Sequence, residues 1–217
     1  MKTPAAVLYG LYQPFRLEEV ELDPPGPGEV LVEMAAGGIC HSDWHVVEGT
    51  LVREFPVILG HEGSATVLET GPGVRMVKPG DPVVLSFIPD CGHCTWCVTG
   101  RSNLCDNRTP FAAGTMADGT IRFHRGGQRI HHFNGVSSFS RYAVVPERGC
   151  VPISPDLPLD QAALIGCAVT TGVGAVLYTA QVRAGQSLAV VGCGGVGLCS
   201  VQGGKIAGAH PLIAVDT

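Results

Sequence analysis

The amino-acid sequence predicts a mainly β domain followed by the start of an α/β domain. Short apolar runs separated by proline–glycine pairs fill the first part of the chain, which is typical of strands joined by tight turns. From about residue 160, helical patterns and a glycine-rich turn replace them. We therefore predict two domains, residues 1–168 and residues 169–217.

Six strands are predicted in the β domain, because apolar residues alternate with polar ones or run briefly between turn residues. They cover residues 5–9, 17–21, 30–36, 64–70, 82–87 and 141–146. Residues 109–138 have weak periodicity and several glycines, so we predict a long loop or a weak hairpin there.

The α/β domain begins with two predicted helices, residues 160–166 and 170–180. A strand at 187–191, a helix at 195–207 and a strand at 212–216 follow, which is the order of a parallel βαβ unit. An open parallel sheet needs further strands and cover on both faces. We therefore expect this domain to be incomplete within these 217 residues.

The composition indicates a globular protein and argues against several classes of partner. The formal net charge is −5 and no basic run occurs, so nucleic acid is not expected as a partner. Apolar runs are shorter than the roughly 20 residues that span a membrane, and the N-terminus lacks an export signal. Nine cysteines, an odd number, favour a reducing compartment over a disulfide framework. We expect a cytoplasmic protein.

Four cysteines lie close together in a polar, turn-rich segment. Cys91, Cys94, Cys97 and Cys105 form the pattern C-x2-C-x2-C-x7-C. Four thiolates can close a tetrahedron around Zn²⁺ and leave no position for a substrate, so the pattern predicts a structural zinc site. Disulfides and an iron–sulfur cluster are the alternative interpretations.

A second metal site is predicted from three separated motifs. Cys40, His61 and Cys167 supply two thiolates and one imidazole, which would leave a fourth zinc position open. Each residue alone is weak, since a lone cysteine is more often a small core residue than a ligand. Asp43 is a fitting partner for the other ring nitrogen of His61. Glu62 either approaches the metal transiently or contacts its ligands.

A glycine-rich turn of the form G-x-G-x-x-G follows the first predicted strand of the α/β domain and opens a helix. Such glycines let the backbone approach a pyrophosphate at a helix N-terminus. An aspartate about 20 residues later suits the adenosine ribose hydroxyl and would repel a 2′-phosphate, so NAD is predicted over NADP. A turn without a ligand is the alternative. The predicted contacts are Gly192, Gly194, Gly195, Val196, Gly197 and Asp216.

The order of these motifs resembles that of the zinc-dependent medium-chain alcohol dehydrogenases, and the resemblance runs along the whole chain. CHSDWH, GHEG, the four-cysteine pattern, GCAVTTG and GCGGVG follow one another as in that family. Residues 116–120, 122–123 and 138–140 look most like the class III and nitrosoaniline-dependent branches.

The resemblance implies a GroES-like catalytic domain that carries both zinc ions, followed by an incomplete Rossmann domain for NAD. It implies that the three predicted ligands hold a catalytic zinc, and that Ser42 and His45 form a proton relay. His41 stands where many relatives have an arginine that faces the pyrophosphate. The resemblance also implies that the full-length protein is a homo-oligomer.

The expected reaction transfers a hydride between a small primary alcohol, or an aldehyde, and NAD. The class III resemblance makes S-(hydroxymethyl)thiol adducts of formaldehyde the alternative substrate. Simple alcohols are preferred because residues 48–52 lack the acidic pattern of relatives that act on such adducts. In the nitrosoaniline-dependent branch the cofactor is expected to stay bound. A non-catalytic zinc-binding fragment is the alternative from another class, because the dinucleotide fold is incomplete.

Overall fold

The computed structural model describes all 217 residues, and their contacts divide the chain into two compact units. Unit 1 is Met1–Ala163 and unit 2 is Leu164–Thr217. The predicted fold class, a mainly β body followed by the start of an α/β domain, is confirmed. The domain boundary between residues 168 and 169 stays a prediction.

Unit 1 is built from ten strands. They are β1 Lys2–Leu8, β2 Arg16–Leu22, β3 Glu29–Gly38, β4 Val57–Ile58, β5 Glu62–Thr70, β6 Pro82–Leu85, β7 Phe123–Arg125, β8 Gln128–Ile130, β9 Tyr142–Pro146 and β10 Cys150–Pro152. Two antiparallel five-stranded sheets have the orders β4-β1-β2-β7-β8 and β10-β6-β5-β3-β9. The six predicted strands are present, whereas β4 and β10 were not predicted because strands of two or three residues leave no periodic pattern.

The segment predicted as a loop or weak hairpin contains the short hairpin β7–β8. Gly126 and Gly127 connect its strands with φ values of +55° and +83°, which glycine adopts without steric cost. Phe123 at the start of this hairpin is fully buried, so the segment contributes to the core of the first sheet.

One apolar core lies between the two sheets. Val7 and Leu22 of the first sheet and Val32 and Val144 of the second are buried and belong to the same cluster. Buried and more exposed side chains alternate along parts of β1 and β2, whereas β3 and β9 are buried over consecutive residues. Burial of apolar area at about 25 cal/mol per Å² then stabilises the pair of sheets.

Unit 1 also contains four short helices, α1 His41–Glu48, α2 Thr95–Val98, α3 Thr109–Ala112 and α4 Leu159–Ala162. Only the region of α4 was predicted as helical. Helix α1 was missed because it is short and contains the β-branched pair Val46 and Val47. It forms because both valines and Asp43 are buried on one face of it, which compensates for the modest propensity.

Unit 2 contains the predicted parallel βαβ unit, which is confirmed. The strand β11 Leu188–Val191 pairs in parallel with β12 Leu212–Val215, and α6 Gly195–Ile206 connects them. Before them, α5 Ala168–Gly174 continues into a π-helical turn, Ala175–Thr179.

No single helix of the chain is long and apolar enough to cross a lipid bilayer. The consecutive segments Leu159–Gly166 and Ala168–Thr179 meet the length and composition requirement only when they are taken together.

Candidate metal centres and cofactor turn

Helix α1 places Cys40 at its N-terminus. Cys40 is the N-cap residue, with φ −110° and ψ 155°, and its backbone N–H donates to the Asp43 carboxylate at 3.0 Å. The helix ends at Gly49, whose φ of +87° is the left-handed conformation that glycine favours. Because Val46 and Val47 anchor the helix to the core of unit 1, the position of the Cys40 thiol is fixed.

His61 follows a glycine turn between β4 and β5. Gly60 has φ +88°, and a Cβ atom there would overlap Ser138 and Phe139. The Gly60 carbonyl accepts a hydrogen bond from the Ser138 backbone at 2.9 Å, which closes the turn against this neighbouring segment. Only glycine fits this close approach, and the turn directs the almost fully buried His61 imidazole inward.

Asp43 connects the two ligand-bearing segments. One carboxylate oxygen accepts the backbone N–H of Gly60 at 3.0 Å and lies 3.3 Å from Nδ1 of His61. The other oxygen accepts the N–H of Cys40, so a single buried carboxylate positions both the thiol and the imidazole. The structure therefore places Asp43 where the sequence predicted a partner for the second ring nitrogen.

Within unit 1, the Cys40 sulfur, a ring nitrogen of His61 and a Glu62 carboxylate oxygen lie within 4.8 Å of one another. The β3–β5 register brings Glu62 opposite Gly38, and a Cβ atom at Gly38 would overlap the Glu62 carboxylate. Glu62 is 3% exposed and points toward the other two groups. Sulfur, imidazole and carboxylate are the donor types that zinc prefers, so the three residues fit the predicted ion.

An open cleft of about 280 Å³ lies along α1 and the loop after it. Its lining residues are His41, Ser42, His45, Thr50 and Leu51. The rings of His41 and His45 meet edge to face, with centroids 4.7 Å apart. The Ser42 hydroxyl lies 3.8 Å from the Cys40 sulfur, so the predicted relay residues border the metal cluster.

The four predicted cysteine ligands of the second cluster also converge. All four sulfurs lie within 4.8 Å of one another, with Cys94 and Cys97 at 3.5 Å and Cys91 and Cys97 at 3.9 Å. Backbone N–H groups donate to the sulfurs, for example from Cys94 to Cys91 at 3.4 Å and from Asn107 to Cys105 at 3.4 Å. Four sulfurs at this spacing fit a closed tetrahedral zinc site.

The backbone N–H groups favour thiolates in this cluster. The N–H of His93 lowers the pKa of the Cys91 thiol to about 5, and the N–H of Asp106 lowers the pKa of Cys94. Burial raises the pKa of Cys97 to about 12, with a further contribution from Cys94. Without a cation the four sulfurs cannot all ionise together, because like charges at this distance repel.

Arg148 brings a positive charge next to the cysteine cluster. Its guanidinium donates to Asp90, and this pairing raises the pKa of Arg148. Gly92 has φ +75°, and a Cβ atom there would touch the guanidinium. The cation also interacts with the sulfurs of Cys91 and Cys97, which offsets part of the negative charge of the cluster.

The predicted cofactor turn forms at the start of α6. Gly192 has φ +89° and donates its N–H to Val215 at 2.8 Å, while Gly194 is the N-cap of α6. A Cβ atom at Gly197 would overlap the carbonyl of Gly192, so this third glycine lets the helix pack against the turn. Gly195 and Val196 form the first residues of the helix.

Asp216 follows β12 and faces the turn. Its carboxylate accepts the N–H of Cys193 at 2.7 Å, and this hydrogen bond is the main cause of the lowered pKa of Asp216. The carboxylate is therefore ionised at neutral pH and lies at the glycine-rich turn, as predicted.

Cys167, the remaining predicted ligand, belongs to unit 2. It is the N-cap residue of α5, is 8% exposed and accepts the Thr171 N–H at 2.9 Å through its carbonyl. Its assignment to the catalytic zinc stays a prediction.

Three residues around His61 were not predicted. The rings of Phe87 and Phe133 meet the imidazole edge to face, with centroids at 5.3 Å and 5.5 Å, and Ser138 contacts the preceding glycine. No local motif marks them, because each reaches His61 through the fold rather than through sequence spacing. The glycine directly before the histidine was the one available signal of a close approach.

Comparisons with known proteins identify the family to which the chain belongs. Residues 26–155 match the model of the alcohol dehydrogenase GroES-like domain. The chain is 49% identical over 216 residues to the NDMA-dependent alcohol dehydrogenase of Amycolatopsis methanolica. The alignment covers 100% of this chain and 58% of that protein. The chain therefore spans little more than half the length of this curated relative.

Two solved structures are similar over 100% of this chain and 59% of their own. The alcohol dehydrogenase zinc-binding domain protein from Burkholderia ambifaria has a TM-score of 0.94 at 36% identity. The benzyl alcohol dehydrogenase from Acinetobacter calcoaceticus has a TM-score of 0.92 at 34% identity. The chain belongs to the zinc-type medium-chain alcohol dehydrogenase family, with its GroES-like domain at residues 26–155.

Proposed function

We propose that this chain carries the zinc sites and part of the NAD site of an enzyme that interconverts primary alcohols and aldehydes. The observation that carries the proposal is the cluster of Cys40 with the buried His61 and Glu62, positioned by Asp43 and bordered by the cleft with Ser42. The membership of the chain in an alcohol dehydrogenase family supports it.

The catalytic zinc would be held by Cys40, His61 and Cys167, and the structural zinc by the four-cysteine cluster. Cys167 is assigned from the family resemblance. When bound, a zinc ion with one open position supplies a Lewis acid that makes an alcohol hydroxyl more acidic. Because Nδ1 of His61 faces Asp43, the other nitrogen, Nε2, is the one available to the metal.

Ser42 and His45 would move the alcohol proton away from the reacting carbon. Ser42 lies beside the Cys40 sulfur and accepts the proton first, and His45 in the same cleft passes it toward solvent. Histidine is a common proton-shuttle residue in enzymes.

The glycine turn would bind NAD, which accepts the hydride in the reaction. Gly192, Gly194 and Gly197 allow a close approach of the pyrophosphate, and Asp216 receives the ribose hydroxyls. The negative charge of Asp216 disfavours the additional phosphate of NADP. His41 is the proposed pyrophosphate contact in the β domain.

The proposed substrate is a simple primary alcohol or aldehyde, since Leu51 and Thr50 line the cleft where thiol-adduct relatives have acidic residues. The NDMA-dependent relative favours the nitrosoaniline-dependent branch, in which NAD stays bound between turnovers. A homo-oligomeric full-length protein in the cytoplasm completes the proposal.

The test measures zinc content, NADH binding by fluorescence and NADH formation on addition of a primary alcohol. We expect two zinc ions per chain and alcohol-dependent NADH. Gly197→Ala should weaken NADH binding at least about tenfold, because its methyl group overlaps the Gly192 carbonyl. Gly174→Ala is the matched control, because no atom lies within 4 Å of its added Cβ and Gly174 is not among the proposed NAD contacts. Zinc binding without NADH binding would instead assign the chain as a zinc-binding module.

A further inference from the structure

Arg53 occupies an inward-facing position in the segment after α1. Leu51, Arg53 and Phe55 are partly buried, whereas the intervening Val52 is 81% exposed and Glu54 is exposed as well. This two-residue alternation is that of an extended segment with one face toward the interior. The Arg53 cation therefore lies between two apolar residues, on the face that packs against the rest of unit 1.

The Arg53 guanidinium lies close to the metal cluster. Its Cζ atom is 5.4 Å from the centroid of the Phe133 ring, and this ring meets the His61 imidazole edge to face at 5.5 Å. The cation is thus separated from a zinc-ligating imidazole by a single aromatic ring.

Arg53 has no anionic partner in unit 1. Two of its N–H groups donate to neutral acceptors, the Val52 carbonyl at 2.8 Å and Asn134 Oδ1 at 3.3 Å. Its Nε–H is buried without an acceptor, and burial lowers the pKa of the guanidinium. None of the ion pairs of the chain includes Arg53.

Arg122 of the same unit is an arginine whose charge is compensated by carboxylates. Its side chain is 12% exposed and pairs with Glu29 at 2.8 Å and with Asp118 at 3.2 Å. A buried cation is costly unless a counter-charge compensates it, and Arg122 meets this requirement within the chain. Arg53 leaves it unmet, which points to an anion supplied by a ligand.

We propose that Arg53 binds a carboxylate carried by the alcohol or aldehyde substrate. The inference rests on the proposed function and names its substrate class. The Nη groups, whose present acceptors are neutral, can donate charge-assisted hydrogen bonds to a carboxylate. The fully buried Phe133 ring holds the guanidinium in place from one side.

The experiment titrates the zinc-loaded chain with matched probes and follows the Arg53 Nε–Hε signal and the His61 ring signals by NMR. The probes are benzyl alcohol, 4-(hydroxymethyl)benzoate and 4-methylbenzoate, which carry the hydroxyl, both groups and the carboxylate alone. We expect 4-(hydroxymethyl)benzoate to bind at least about tenfold tighter than benzyl alcohol, as a charge-assisted hydrogen bond allows. It should shift both sets of signals.

Arg53→Met should remove this preference and leave the affinity for benzyl alcohol unchanged. Arg53→Lys keeps the charge but lacks the planar guanidinium, so it should retain part of the preference. This variant also provides the test if Arg53→Met does not fold. Arg16→Met is the control, because Arg16 also lies over an aromatic ring, that of Tyr9, at 4.8 Å. It should leave the preference unchanged.

Equal affinities of the parent chain for benzyl alcohol and 4-(hydroxymethyl)benzoate would overturn the inference. The proposed function would still stand in that case if benzyl alcohol shifted the His61 signals. A preference that persists in Arg53→Met would also overturn it. Tight binding of 4-methylbenzoate without any contribution from the hydroxyl would show an anion site unrelated to the substrate. Absence of binding by every probe would contradict both the inference and alcohol binding itself.

Discussion

The two metal clusters of this chain gather similar ligands in different ways. In the cysteine lobe, all four sulfurs come from residues 91–105, and neighbouring backbone N–H groups donate to them. In the other cluster, Cys40 starts a helix and His61 follows a glycine turn, and the Asp43 carboxylate connects them. The lobe thus depends on local chain geometry and the metal itself, whereas the second cluster depends on the packed β unit.

This difference implies different consequences of metal loss. The lobe has few buried apolar side chains, so we expect metal binding to supply a large part of its folding free energy. The Cys40–His61 cluster lies against the buried residues Leu8, Val47 and Phe133, which hold the segments in place. We therefore expect the proposed catalytic site to exchange its ion while the surrounding unit stays folded.

The largest expected effect is that of Cys94→Ser. We expect loss of one of the two zinc ions per chain and fast amide exchange throughout residues 91–108, because the closed site loses a ligand. Metal analysis and hydrogen exchange measure both effects. Cys150→Ala, a buried cysteine outside both clusters, should keep both ions. Retention of two ions in Cys94→Ser would contradict the local construction of the lobe.

Asp43→Asn tests the construction of the second cluster. The amide group can no longer accept from Cys40, Gly60 and His61 together, so zinc affinity there should fall about 10- to 100-fold. Chelator competition would measure two classes of zinc, of which only the weaker one changes. The control is Asp118→Asn, since Asp118 pairs with Arg122 at the surface. Equal weakening of both zinc classes would count against a connecting role for Asp43.

Gly38→Ala tests whether the sheet register sets the position of Glu62. The added methyl group overlaps the Glu62 carboxylate, so the free energy of unfolding should fall by about 1–3 kcal/mol. Gly174→Ala is the matched control, because it has open space around its Cβ and lies in a helix, where alanine is favoured. Chemical denaturation of both variants measures the difference, and an unchanged Gly38→Ala would refute the close approach.

The last prediction is a pH dependence of the unfolding free energy, which is small for each pH unit. It is caused by His132, a second buried imidazole. Unlike His61, it faces no carboxylate, and Nε2 accepts only the Arg122 N–H at 3.1 Å. Burial lowers the pKa of His132 to about 3. The unfolded chain binds the proton first as pH falls, so this contribution is complete above pH 6.5. Between pH 6.5 and 3 the unfolding free energy should fall by about 1.4 kcal/mol per pH unit.

Urea unfolding at a series of pH values measures this slope. The parent chain is compared with His132→Asn, whose side chain can still accept the Arg122 N–H but does not titrate. Their difference isolates the histidine from the carboxylates that also titrate in this range. Identical slopes would show that folding does not lower the pKa of His132.

The sequence was sufficient for the cysteine lobe, because ligand spacing within one short segment limits where the sulfurs can lie. It was also sufficient for the βαβ unit, where a glycine turn and a carboxylate follow strands at a fixed distance. It did not predict that Gly38 faces Glu62, because irregularities in the β3–β5 pairing, after Leu31 and after Met34, set that register. Nor could it predict that Ser138 closes on Gly60, since 78 residues separate them in the sequence and only the fold brings them together.

The most direct test of the account is the location of zinc by anomalous diffraction at its absorption edge in crystals of the chain. We expect two peaks, one of them at the centre of the four-cysteine cluster. The other should lie about 2.3 Å from the Cys40 sulfur and about 2.0–2.1 Å from a nitrogen of His61. A single peak in the cysteine lobe, with none between Cys40 and His61 in zinc-saturated crystals, would contradict the catalytic site.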